Sequence, residues 1–249
     1  MKIKNNHLKK KNILITGASS GIGKSLAINL SKFGANVLML SRNESALDSI
    51  YDEIKEKYKV DPCILKCDLE NLDDNKSREI VNIILENYKS LDAVIHNASL
   101  LEKMADIQSY DSKTWEKVLK VNLTSSFILS KHIIPLMRSS SNPRIIFTTS
   151  SVGNKGKAFW GAYSVSKAGI NALSEILADE LESVSNIKIF NFNPKATQTS
   201  MRALAYPAED PALIKQTDDL MDYYLWMLSE ESSKSRNIYI EFDESNTFI

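Results

Sequence analysis

The stretch "GASSGIGKS", residues 17–25, admits three readings of different chemistry, and the choice among them decides the fold. It fits G-x-S-x-G, the strand-to-helix elbow that exposes a nucleophilic serine, here Ser19. It nearly fits the G-x-x-x-x-G-K-S loop that wraps a nucleoside triphosphate. With Gly17, Gly21 and Gly23 it also has the spaced glycines of a dinucleotide-binding turn. The first reading requires an acid and then a late histidine, but only His96 and His132 follow Ser19, and both precede the last two strand-like runs. The second requires a glycine five positions before Gly23; Ala18 stands there, and Gly17 is one residue too far for the backbone N–H groups to curl around a phosphate. It also lacks a strand ending in a magnesium-holding Asp, because Asp92 precedes "AVIH" instead of following it. The third reading meets its context. The loop lies between the apolar "NILIT" (12–16) and the helically periodic "KSLAINL" (24–30), so a helix N-terminus is aimed where a pyrophosphate would sit.

Outward from that loop, strand-like and helix-like segments alternate to the end of the chain. After the first strand and helix come "NVLMLS" (36–41), a helix over 44–59, "PCILKCDL" (62–69), a helix over 75–89 and "LDAVIHNAS" (91–99). A long helix over 114–140 with Pro135 late in it, "RIIFTTSS" (144–151), a helix over 163–182 and "IKIFNFNP" (187–194) follow. A helix near 218–230 and a strand near "NIYIEF" (237–242) close the series. The strands are continuous apolar runs, as expected when helices cover both faces of a parallel sheet. Strict β-α alternation without a Gly/Ser or Pro linker predicts an α/β fold: a single doubly wound, Rossmann-type domain over residues 12–249, with about seven parallel strands and helices on both faces. The least regular piece, residues 199–218, carries two prolines and reads as a lid.

Bulk properties exclude several partners. Of 249 residues, 43% are hydrophobic and 25% charged, and Lys+Arg balances Asp+Glu at 31 each, so no net field favours nucleic acid or an anionic membrane. Residues 1–11 hold five lysines but lack the apolar run of a secretory signal, and read as a solvated basic tail. Nowhere do about 18 apolar residues run together, so no membrane span is expected. Cys63 and Cys67 lie an even number apart on an extended segment, a poor geometry for a disulfide, and no metal set surrounds them; two reduced thiols in a cytoplasmic protein are expected.

Two further groups carry chemistry. At the end of the second strand, "SRNES" offers Arg42 and no acid until Glu44. An acid there would bind a free ribose 2′-hydroxyl, whereas the planar fork of an arginine suits a 2′-phosphate. In "SSVGNKGKAFWGAYSVSK", Tyr163 and Lys167 are four residues apart, on one helical face, with Ser150 thirteen residues before the tyrosine. A phenol titrates near pH 10, and a cation held beside it would favour the phenolate and lower that value. Tyr163 and Lys167 thus form a candidate acid/base pair, the bland alternative being surface neighbours.

On these residues the chain resembles the short-chain dehydrogenase/reductase family in its compact form, from residue 12 to residue 242. "TGASSGIG" fits the family's T-G-x-x-x-G-x-G loop, "HNAS" (96–99) its N-N-A-G segment, "VN" its helix asparagine and Tyr163-x-x-x-Lys167 its active-site pair. A narrower likeness, in "GAYSVSK", "NPKATQTSMRALAYPAEDP" and "YYLWML", points to the YciK-like bacterial branch, oxidoreductases of unassigned substrate. The resemblance implies that Tyr163 is the general acid or base, that Lys167 lowers its pKa and holds the nicotinamide ribose, that Ser150 orients the substrate oxygen and that Asn122 supports a water relay. It further implies cofactor contacts from Gly17, Ser19, Ser20, Gly21, Ile22 and Gly23, from Arg42 and Asn43, from Asp68 and Leu69, from Asn97 and Ala98, and from Pro194, Thr197 and Thr199. Two positions depart from the family's pattern: Ser99 replaces the glycine of N-A-G, and Lys195 the glycine after the proline.

The expectation is a cytoplasmic oxidoreductase that uses NADP(H) in preference to NAD(H) to interconvert a carbonyl and an alcohol, without a metal. It would act as a homodimer or homotetramer paired through helices 114–138 and 163–182, with no nucleic-acid or membrane partner. The competing reading is a dinucleotide-binding redox sensor or scaffold without significant catalysis. Trp160 and Tyr206 read equally as walls of the substrate pocket and as core or interface aromatics.

Overall fold

All five residues of β1 (Asn12–Thr16) are buried, the signature of a strand covered on both faces. It lies inside one parallel sheet, between β2 and β4, with β2 (Asn36–Ser41), β3 (Cys63–Lys66), β4 (Ala93–His96), β5 (Arg144–Thr148), β6 (Lys188–Asn193) and β7 (Tyr239–Glu241) in the order 3-2-1-4-5-6-7. The intervening helices are α1 (Gly21–Lys32), α2 (Glu44–Lys57), α3 (Asp74–Tyr88), α4 (Ser112–Leu119), α5 (Ser125–Met137), α6 (Ser151–Asn154), α7 (Gly161–Glu182), α8 (Ser200–Ala205) and α9 (Met221–Met227). This computed structural model describes residues 7–245.

Because strand side chains alternate, Ile13 and Ile15 join Val37 and Met39 under α1, α2 and α9, while Leu14 joins Leu38, Leu40 and Val94 under α3, α5 and α7. The doubly wound fold is therefore present as expected. Across β5, the fully buried Arg144 ties the sheet to the turn after α9. Its guanidinium donates to the carbonyls of Met227, Ser229 and Pro143 and to Asn142, Ser232 and Ser233, and burial lowers its pKa to about 10.

Two expectations are corrected. The helix read as continuous over 114–140 is divided by one wide π-helical turn, Lys120–Thr124, between α4 and α5. Such a turn leaves the apolar periodicity nearly intact, so sequence spacing does not reveal it, and it carries Asn122. Residues 7–11 are not a solvated tail. Leu8 is 2% exposed within the core beside α1, its N–H donates to the Phe33 carbonyl at 3.0 Å, and Lys11 reaches the Asp92 carboxylate at 3.0 Å. Residues 1–6, the rest of that basic segment, lie outside the described residues, as do residues 246–249.

Candidate active site

The strand order reverses direction between β1 and β4, and a cleft of about 930 Å3 opens there along the carboxyl ends of the strands. Its floor is the glycine-rich loop after β1. Gly17 has φ +68, and a Cβ on it would come within 2.8 Å of the Ala98 backbone; one on Gly23 would stand 2.1 Å from the Gly17 carbonyl oxygen. No other residue fits this turn. Ser20 begins α1 without a side-chain cap, and the first turn holds no acid, so the helix N-terminus meets the cleft with unsatisfied N–H groups and positive potential. A cradle of bare backbone before an uncapped helix fits a dinucleotide pyrophosphate. Gly21, Ile22, Ser19 and Ser20 line it. The hydroxyls of Ser19 and Ser41, 2.8 Å apart, tie the loop to β2.

At one end of the cleft stand Arg42, Asn43, Asp68 and Leu69. Arg42 is exposed, while the nearest acid in sequence, Glu44, is engaged by Lys66 at 2.5 Å. Asn43 caps α2 by accepting from the Ala46 N–H at 3.2 Å, and Asp68 caps the following turn by accepting from the Glu70 N–H at 3.1 Å. These two residues shape the wall while their side chains satisfy backbone donors.

At the other end α7 carries Tyr163 and Lys167, and Ser150, the residue before α6, faces them across the cleft. Lys167 donates to the Thr148 carbonyl at 2.7 Å, and its ammonium lies 5.5 Å from the centroid of the Tyr163 ring. Burial pushes the Tyr163 phenol up to about 12 and brings Lys167 down to about 8, because each loses hydration that would favour its charged form. Burial dominates the Tyr163 shift, and the Ser150 hydroxyl opposes it by favouring the phenolate.

Most of the site residues expected from sequence converge on this one cleft. Asn97, Ala98, Pro194, Thr197 and Thr199 complete its lining, Thr197 donating to the Pro194 carbonyl at 3.2 Å and Thr199 capping α8 through the Arg202 N–H at 3.1 Å. Gly23 and Asn122 do not line it. Gly23 lies behind the loop, and Asn122, 2% exposed, turns its amide to the chain after β4, accepting from the Leu100 N–H at 2.7 Å and donating to the Leu100 carbonyl at 2.8 Å and to Ser166 at 3.0 Å. That clamp, and the Thr148 carbonyl that receives Lys167, were missed from sequence; a backbone acceptor leaves no mark in residue type.

Trp160 and Tyr206 prove to be cleft walls and members of a small core at once. The Trp160 ring stands 5.6 Å from that of Tyr163 and 6.0 Å from that of Tyr206, over which the Arg202 guanidinium stacks at 3.8 Å. Lys195 adopts φ +54, the left-handed region that favours glycine, and pairs with Glu241 on β7 at 3.0 Å. Among the described residues no cluster of His, Cys, Asp or Glu could hold a metal ion, no helix is long and apolar enough to cross a membrane, and both cysteines are free thiols.

Comparison with known proteins agrees with this geometry. The family model for short chain dehydrogenases matches residues 11–210. The uncharacterized oxidoreductase YciK of Escherichia coli K12 is 36% identical, over 89% of this chain and 87% of its own. A Shigella flexneri short chain dehydrogenase crystallised with NADP superposes with a TM-score of 0.92 at 34% identity, covering 96% of this chain and 99% of that one. A counterpart from Escherichia coli CFT073 with NADPH gives 0.92 at 35% identity, covering 96% and 98%. With the family model matched over residues 11–210 and a relative 36% identical over most of both chains, this chain belongs to the short-chain dehydrogenase/reductase family of oxidoreductases.

Proposed function

We propose that this protein interconverts a carbonyl and an alcohol with NADP(H), Tyr163 acting as general acid in reduction and general base in oxidation. The observation that carries the reading is the meeting of Tyr163, Ser150 and Lys167 at one end of a cleft whose other end presents Arg42, with an uncapped helix N-terminus between them. NADP(H) rather than NAD(H) is supported by the exposed Arg42 at the cleft, beside a Glu44 already held by Lys66, and two similar structures carry NADP and NADPH.

The nicotinamide, when bound, supplies or accepts the hydride. The chain's own residues handle the rest. A phenol pushed up to about 12 is fully protonated near neutrality and holds a proton ready for a carbonyl oxygen. Ser150 orients that oxygen, and Lys167, fixed by the Thr148 carbonyl, holds positive charge below the phenol ring, where it stabilises the phenolate left after proton transfer. Val152, Trp160, Met201 and Tyr206 exclude water around the substrate. Residues 199–218 serve as the lid. Both of its ends rest on α1, Thr199 against Gly21 and Asp218 on Ser25 at 2.6 Å and Asn29 at 3.1 Å.

The protein works in the cytoplasm, a compartment in which its two free thiols stay reduced. It forms a homodimer or homotetramer through α5 and α7, whose outer faces expose Phe127, Val165 and Ile176. Light scattering reads that state. NADPH oxidation over a panel of carbonyl compounds tests the function. Turnover that survives intact in Tyr163→Phe removes the acid role, and NADPH binding without turnover on any carbonyl or alcohol favours the sensor reading instead.

A further inference from the structure

Tyr163 belongs to a third, small apolar cluster that stands apart from the two larger cores on the faces of the sheet. Its members Leu101, Val152, Trp160, Met201, Ala205 and Tyr206 also line the cleft, so the cluster is open on the side where the phenol works. On α8, Met201, Leu204 and Ala205 are three and four residues apart, share one face and line the cleft, yet none of that helix's residues is buried. Leu204 is 59% exposed. Water leaves such a face with a gain in free energy when an apolar group takes its place.

The charged groups at this end are already engaged. Besides Arg42 and Asp68 at the far end, the charged side chains that line the cleft are Glu102, Lys167, Lys195 and Arg202. Glu102 pairs with Lys117 at 2.7 Å, and Lys195 with Glu241 at 3.0 Å. Arg202 gives two hydrogen bonds to the Glu209 carboxylate, both at 2.6 Å, and stacks on the Tyr206 ring at 3.8 Å. Lys167 is 2% exposed and donates to the Thr148 carbonyl. Lys157, outside the lining, donates to the Tyr206 hydroxyl at 3.0 Å. Among the described residues, no charged side chain lining this end is left without a partner for an ionised substrate to use.

Given the carbonyl/alcohol chemistry proposed above, on which this rests, we infer that the substrate is an uncharged carbonyl compound with an apolar body, held against Trp160, Tyr206 and the open face of α8. A carboxylate drawn into this end loses its water without meeting a free cation, a cost that an apolar group of the same shape does not carry. The Arg202–Glu209 pair sets this selectivity. Glu209 cancels the guanidinium that would otherwise receive an anion, and the paired guanidinium braces the Tyr206 ring as a wall.

The test follows NADPH oxidation by the full-length protein with para-isopropylbenzaldehyde and para-formylbenzoate, whose substituents are alike in shape and differ in charge. The isopropyl compound is expected to show a kcat/KM about a hundredfold higher. Trp160→Ala should lower that value about tenfold, mainly through KM, and the value for propanal, too short to reach the wall, by less than about threefold. Glu209→Gln leaves the Arg202 charge uncompensated and is expected to narrow the gap between the two aromatic aldehydes about tenfold, whereas a residue that only held the loop would lower both alike. Equal or better turnover of para-formylbenzoate by the wild type overturns the inference, as does a gap unmoved in Glu209→Gln or a para-isopropylbenzaldehyde KM unmoved in Trp160→Ala. Calorimetry of the matching alcohols, para-isopropylbenzyl alcohol and para-(hydroxymethyl)benzoate, on the NADPH complex reads the preference without turnover. A protein that reduces neither aldehyde but binds the apolar alcohol about tenfold more tightly refutes the proposed function and retains the apolar, uncharged ligand class; equal binding refutes that class.

Discussion

Lys167 gives its hydrogen bond to the carbonyl of Thr148, at 2.7 Å, and not to the Tyr163 hydroxyl, so the ammonium acts on the phenol from beneath the ring. This places the lysine's charge within the reach of Coulomb attraction to the phenol. Burial strips the ammonium of the water that would favour its charged form, and its pKa falls to about 8.

Raising the pH through about 8 should therefore discharge Lys167 in the free protein. The value of kcat/KM for NADPH, which reports free enzyme, is expected to decline above that pH in the wild type. Lys167→Met should be lower by about a hundredfold at neutral pH and show no such limb, given the usual contribution of a group in acid/base machinery. Steady-state rates between pH 6 and 10 check both points, and a limb retained in Lys167→Met would assign it to another group.

Cofactor choice rests on one side chain. Arg42→Asp should weaken NADPH by about ten- to a hundredfold, the worth of a charge-assisted bidentate contact, while leaving NADH binding within a few-fold of its starting value. Quenching of intrinsic fluorescence by each nucleotide measures the two affinities. An unchanged ratio would transfer the discrimination to other residues.

Backbone strain at Lys195 makes a stability prediction. A lysine at φ +54 costs about 1 kcal/mol relative to a glycine in the same conformation, whereas its ion pair with Glu241 is half-exposed and worth less. Lys195→Gly is expected to raise Tm by about 2 °C, by the usual scaling for a chain of this size, and Lys195→Ala to lower it. Calorimetry of the two variants separates backbone conformation from loss of the side chain.

His96 is buried against Phe147, ring centroids 4.8 Å apart, with Ser130 at 3.0 Å from Nε2, and burial lowers its pKa to about 3. The unfolded chain, with an ordinary histidine near pH 6.5, binds the proton first, so this residue's contribution is fully present above that pH and is lost as pH falls from about 6.5 towards 3. Between pH 7 and pH 5 the loss should approach about 2 kcal/mol, from about 1.4 kcal/mol for each pH unit traversed below 6.5. His96→Gln should lack that component. Urea unfolding at each pH tests it: the gap between wild type and variant narrows on acidification.

The alternation of apolar runs with helical periodicity determined the parallel sheet, because a strand covered on both faces must be apolar throughout and a crossover helix must be apolar on one side. The spacing of Gly17, Gly21 and Gly23 and the i,i+4 relation of Tyr163 to Lys167 were equally legible, since both depend on local geometry. What only the tertiary structure decided lies where distant segments meet. It set the wide turn at Asn122, the clamp from that residue onto Leu100, the Thr148 carbonyl that receives Lys167 and the burial that sets the Tyr163 pKa. Each depends on backbone groups or on lost hydration, neither of which is written in the type of a residue or in its distance along the chain.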